Sequence, residues 1–167
     1  MRGLLESWLS LPLLLVSAGC GGLSPEEQAR QTGLEFKRAQ YVVEDYTKEE
    51  RSLAIIMKRN ERVKPFLTEK AYEGYLANRE AEIPLLAATT QKRNIALKTI
   101  TFEKQEATGQ QEATLTFHYE MELELHQPDG VEPQLVKATG QMDVSKVGEQ
   151  WLVSRDWDGY PLNAFWK

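Results

Sequence analysis

From Ala113 to His126 the chain alternates without a break. Ala113, Leu115, Phe117, Tyr119, Met121, Leu123 and Leu125 are apolar, while Thr114, Thr116, His118, Glu120, Glu122, Glu124 and His126 are polar or charged. A period of two over this length specifies a β-strand with one buried and one wet face, because a helix would scatter the same residues around its circumference. The register is equally constrained. A slip of one residue would expose six large apolar side chains, each contributing about 1.5–3 kcal/mol when buried. It would also bury three glutamates. Strands usually run to about five or six residues, so one this long is expected to bend or carry a bulge.

Weaker copies of the pattern flank it. Ile95, Leu97, Ile100 and Phe102 switch parity between Leu97 and Ile100, which predicts a bulge near Lys98-Thr99. After the turn signal Gln127-Pro128-Asp129-Gly130, Val136, Ala138, Met142 and Val144 alternate within Leu135 to Val147. Lys146-Val147-Gly148-Glu149 is a second turn, and Trp151, Val153 and Trp157 are expected on one side of a last strand, Gln150 to Trp157. The tail from Tyr160 to Lys167 is aromatic and is expected to fold back onto the body.

The preceding segment has helical spacing. Ser24-Pro25-Glu26-Glu27 combines a cap, a first-turn proline and a capping-box glutamate. Ala29, Gly33, Phe36, Ala39, Val43 and Tyr46 then form one stripe. Thr47 to Glu50 predicts the start of a second helix, with Leu53, Ile56, Met57 and Val63 inward and Arg51, Lys58, Arg59, Glu61 and Arg62 solvated. Pro65 ends it, and Thr68-Glu69-Lys70-Ala71 opens a third helix. Ile83 to Ala88, interrupted by Pro84, is expected as a packed loop or a single helical turn. Helices followed by strands give the α+β class, with N-terminal helices packed on a curved four-stranded antiparallel sheet.

Residues 1–19 stand apart. Arg2 and the amino terminus precede the apolar run Trp8 to Val16, then Ser17-Ala18-Gly19 and the single cysteine, Cys20. This is the layout of a secretory signal, with an apolar run too short to span a bilayer. It resembles the lipobox of bacterial lipoproteins, with Ser17 where that family usually has Leu. The resemblance implies cleavage after Gly19, acylation of Cys20 and a lipid anchor on the extracytoplasmic side of the cell membrane. Residues 20–24 then form a short tether and residues 25–167 the folded domain.

That domain resembles the NTF2-like, cystatin-like superfamily. The likeness lies in the element order, in Phe66-Leu67-Thr68-Glu69-Lys70-Ala71-Tyr72, and in Gly148-Glu149-Gln150-Trp151-Leu152-Val153. It implies a cone of helices on a curved sheet. The superfamily includes isomerases, dehydratases, binding modules and secretion-system scaffolds, so fold alone does not assign function.

A net charge of −5, unchanged when Arg2 and Glu6 leave with the signal, argues against nucleic-acid binding. A lone cysteine excludes an intramolecular disulfide or a cysteine-based zinc site. His118, Glu120, Glu122, Glu124 and His126 lie along one strand face about 6.5–7 Å apart at alternate positions. That spacing suits a solvated face paired to the next strand's Lys137 better than a metal centre, which needs ligands converging from several elements. Asp45, Asp156 and Asp158 have no base that the sequence places beside them. No phosphate loop, nucleophile elbow or metalloprotease helix is present.

No catalytic residue, metal or cofactor is therefore expected. The expected function is a non-catalytic, membrane-anchored binding module for an envelope protein or a small apolar ligand. The alternatives are a scaffold subunit of a conjugation- or secretion-type assembly and a small isomerase-type enzyme. Tyr41, Tyr72, Tyr75, Trp151, Trp157, Tyr160 and Trp166 are the candidate pocket or interface residues, since Tyr and Trp join apolar surface to a polar handle.

Overall fold

A computed structural model describes residues 22–49, 51–106, 113–127, 130–159, 161–162 and 165. Residues 1–19, read above as a signal, together with Cys20, Tyr160 and Trp166, lie outside the described residues. Among the described residues four α-helices precede four strands: α1 (Pro25–Tyr41), α2 (Leu53–Val63), α3 (Glu69–Ala77), α4 (Glu82–Gln91), β1 (Asn94–Lys104), β2 (Thr114–His126), β3 (Gln134–Val147) and β4 (Gln150–Asp158). The strands form one antiparallel sheet in the order β1-β2-β3-β4. The helices pack against it, with α1 crossing β1, β3 and β4, α3 against β4 and α4 against β1. The class is α+β.

The long strand sets the register as its alternation requires. Phe117, Tyr119, Met121, Leu123 and Leu125 are buried against the helices, and β2 pairs with β3 without interruption from Thr114–Ser145 to Leu125–Gln134. No extra residue sits in β2. Its outer neighbours absorb the curvature instead. In β1, Lys98 is the extra residue between Leu97 and Thr99, at the predicted bulge.

A second bulge, unforeseen, lies in β4. Asp143 pairs with Arg155 while Val144 pairs with Val153, leaving Ser154 as the additional residue. It reverses the parity of the strand. Trp151 and Val153 point inward as expected, but Trp157 is 62% exposed on the far face, and Asp156 and Asp158 turn inward in its place.

Four helical expectations change. The second helix starts at Leu53, capped by Ser52, because the Asp45 carboxylate accepts from both the amide and the hydroxyl of Thr47 and holds a turn there. Its inward stripe is Ile56, Arg59 and Val63, leaving Leu53 and Met57 exposed. Arg59 and Arg62 are not solvated. Arg59 donates to the Gln40 and Val42 carbonyls and to Glu49, and Arg62 to the Ala39 and Val42 carbonyls. Two cations thus satisfy the carbonyls that the end of α1 leaves without helical partners. Finally, Glu82–Gln91 is a ten-residue helix. Pro84 falls in its first turn, where its missing N–H costs nothing.

Two backbone clamps tie the helices to the sheet. Val43 exchanges both hydrogen bonds with Ile95 at 2.9 Å, and the Thr68 amide donates to the Val153 carbonyl at 3.0 Å. Leu162 and Phe165 pack on the core, so the described part of the tail does fold back.

Candidate functional site

The most concentrated polar chemistry in the described structure is buried. The inner stripe of α1 runs Ala29, Gly33, Phe36, Lys37, Gln40 and Tyr41, and every one of these residues is buried. Gly33 permits the close approach, since a Cβ there would lie 2.9 Å from the Met142 sulfur and displace it. The helix therefore rests on the sheet and carries Lys37, with no exposed surface, to the inward aspartates of β4.

Lys37 Nζ donates to Asp156 Oδ2 at 2.6 Å, Asp158 Oδ2 at 2.9 Å and Gln40 Oε1 at 3.1 Å. An ammonium has three N–H donors, and all three are engaged. Tyr41 donates to Asp158 Oδ2, and Tyr119 donates to Asp156 Oδ1 at 3.2 Å. The ammonium also lies 4.9 Å from the ring centre of Tyr119, 5.3 Å from that of Tyr41 and 5.5 Å from that of Phe36, in cation–π range. Gly140 makes the arrangement possible, because a Cβ there would collide with the Tyr119 hydroxyl and the Trp157 carbonyl.

From Gln40 the network continues outward, its amide donating to Glu80 Oε2 at 3.1 Å. Glu80 lines a cleft of about 310 Å³ between α3 and β4, which Phe36, Tyr75 and Asp156 also line.

The electrostatics follow from this geometry. Burial would lower the Lys37 amine, but the negative charge of Asp156 and Asp158 holds it well above its ordinary value. Burial pushes up the phenols of Tyr41 and Tyr119, only partly opposed by Lys37. Asp156 is raised by burial against the pull of Lys37. Glu80 is pushed to about 7 by burial and by the charge of Asp156. The arrangement is a clamped, charged lysine between two carboxylates, joining α1 to β4. It offers neither a neutral amine as nucleophile nor a spare N–H.

The sequence candidates disperse. Tyr41 belongs to the ion cluster. Tyr75 is buried edge-on to Phe36 at 6.5 Å, and its hydroxyl has no hydrogen-bond partner among the described residues. Trp151 is core. Tyr72 lies on the helical surface, donating to Glu61 at 3.4 Å beneath the Lys64 ammonium. Trp157 is on the opposite face of the sheet. These residues do not share one pocket. The cluster that sequence reasoning missed had a signal in Lys37, which stands eight residues after Ala29, on the buried stripe. Among the described residues no His, Cys, Asp and Glu group could hold a metal ion, and no helix is long and apolar enough to cross a membrane.

The sequence matches no protein-family model and no curated protein. Solved structures do match. The fold is shared with periplasmic domains. A periplasmic fragment of TraM superposes with a TM-score of 0.51 at 8% identity, covering 81% of this chain and 98% of that one. The periplasmic domain of DotI gives 0.52 at 13% identity over 84% and 99%. An IcmL-like type IV secretion system protein from Legionella pneumophila gives 0.55 at 12% identity over 83% and 94%.

Proposed function

We propose that this chain is a scaffold subunit of a secretion- or conjugation-type assembly in the bacterial envelope, held outside the cytoplasm by lipid on Cys20 and acting by binding protein without catalysis. The observation that carries the reading is the extent of the fold match. Nearly the whole of each of three domains, two of them periplasmic and one from a type IV secretion system, is reproduced by residues of this one domain. The ion cluster supports it from inside, since two of the Lys37 N–H groups hold α1 to the β4 aspartates and the third is taken by Gln40. Acyl chains contribute about 0.8 kcal/mol per buried CH₂, so two or more on Cys20 would anchor it durably.

The test is the native mass of the protein extracted from membranes of its own cell, beside a Cys20→Ala variant. Wild type is expected in the membrane fraction, acylated and in a high-mass species, with the variant released. A wild-type chain that is unacylated, or that extracts only at the mass of one copy, contradicts the proposal. A small apolar ligand is a second reading, favoured by the cleft between α3 and β4, which Phe36, Leu67, Tyr75 and Val153 line.

A further inference from the structure

The wet face of the sheet is divided. Towards one end its charges are paired: Glu122 with Lys137 at 3.2 Å and Lys98 at 3.8 Å, and Glu124 with Lys98 at 2.9 Å and His126 at 3.3 Å. Towards the other, Asp143 meets Arg155 at 2.9 Å and Thr116 at 2.8 Å. Between these lies a row across all four strands, Glu103–His118–Gln141–Trp157, with Glu120 beside it. It lines a shallow depression of about 420 Å³. Glu103, His118, Glu120 and Gln141 have no side-chain partner among the described residues, and Trp157 is 62% exposed.

We infer that this row is a docking surface for an extended segment of a partner protein carrying two basic residues. The inference rests on the envelope-assembly reading and names the chemistry of its partner. Glu103 and Glu120 are diagonal cross-strand neighbours, about 7–8 Å apart. Their repulsion is unrelieved by the described residues, and one guanidinium or ammonium from outside would relieve it. The indole of Trp157 offers a cation a π face at the far end of the row. Strands lie about 4.8 Å apart, so the acidic pair and Trp157 are separated by about 12 Å. On an extended segment, side chains four residues apart point the same way and are about 13 Å apart. A segment crossing the strands with Lys or Arg at such positions fits both ends. The ordering of the wet face explains the choice of partner: wherever else it carries several carboxylates, β1, β3 or β4 supplies the cation, and here they do not.

The test places a photocrosslinking residue at Thr139 or Thr101, both exposed in the depression, in the full chain in its own cell, with Lys58 on the helical side as control. Thr139 and Thr101 are expected to capture the same protein through a peptide containing Lys or Arg, and Lys58 not to. Yield is expected to fall about tenfold in Glu103→Gln/Glu120→Gln and in Trp157→Ala, as for interface hot spots, with the unfolding midpoint not lowered. Capture of a glycan or of a segment without basic residues overturns the inference, as does a yield unaffected by the double change. Silence from Thr139 and Thr101 while the chain still migrates at high mass removes this surface and leaves the assembly reading standing. Migration at single-copy mass removes both.

Discussion

Asp156, Trp157 and Asp158 are consecutive, yet they occupy two different chemical worlds. The aspartates face inward, where Lys37, Tyr41 and Tyr119 hold them. The tryptophan faces outward, beside carboxylates that the described residues leave unpaired. One inserted residue, Ser154, creates the difference by reversing strand parity. The contrast separates two uses of polar residues. Inside, low dielectric makes an unsatisfied charge costly, so a retained cluster must be complete and becomes structural. Outside, water tolerates incompleteness, and groups without partners in the domain are the ones available to another molecule.

The sharpest way to break this comparison is to leave the inner cluster incomplete. Lys37→Met strands two buried carboxylates and is expected to cost about 3–5 kcal/mol in urea unfolding; a loss below about 1 kcal/mol would mean that water already reaches the cluster. Gly140→Ala drives a methyl into the Tyr119 hydroxyl and the Trp157 carbonyl. It is expected to cost about 2–3 kcal/mol by overpacking, seen as a lowered thermal midpoint.

Glu80 gives a pH test. Its carboxyl is raised to about 7 from 4.5, so between these values the folded state binds a proton that the unfolded state has released. Stability therefore falls as pH rises through that window, by about 2 kcal/mol after allowance for partial exposure. Glu80→Gln is expected to remove this slope in unfolding titrations. A slope unchanged in the variant would place it elsewhere, with Asp156, whose carboxyl burial also raises. The smallest effect belongs outside. Trp157→Ala is expected to change stability by no more than about 0.5 kcal/mol, and a larger loss in the same assay would make Trp157 part of the fold rather than of a surface.

The sheet was legible because Ala113 to His126 leaves one register, and the Lys98 bulge because apolar parity fails between Leu97 and Ile100. The bulge at Ser154 left no such mark. Trp157 continues the apolar alternation of Trp151 and Val153, so the sequence points it inward, and only the partners waiting on α1 explain why the aspartates go in instead. Arg59 and Arg62 look like surface charges until the end of α1 presents carbonyls to them. Glu82–Gln91 escaped because a helix buried on most sides lacks an amphipathic period. In each case the missing information was a tertiary partner, and the same holds for the ion cluster, whose members are 119 and 121 residues apart.

The central claim is that the inner cluster holds the fold together while binding belongs to the surface. It is tested most directly by removing every charge of the cluster at once, in Lys37→Met/Asp156→Asn/Asp158→Asn, and measuring unfolding free energy together with native mass in membrane extracts. The amide oxygens still accept from Tyr41 and Tyr119. This variant is therefore expected to be more stable than Lys37→Met alone and to enter the same high-mass species as wild type. A variant that folds with wild-type stability yet no longer assembles would contradict the account and place the function in the cluster itself.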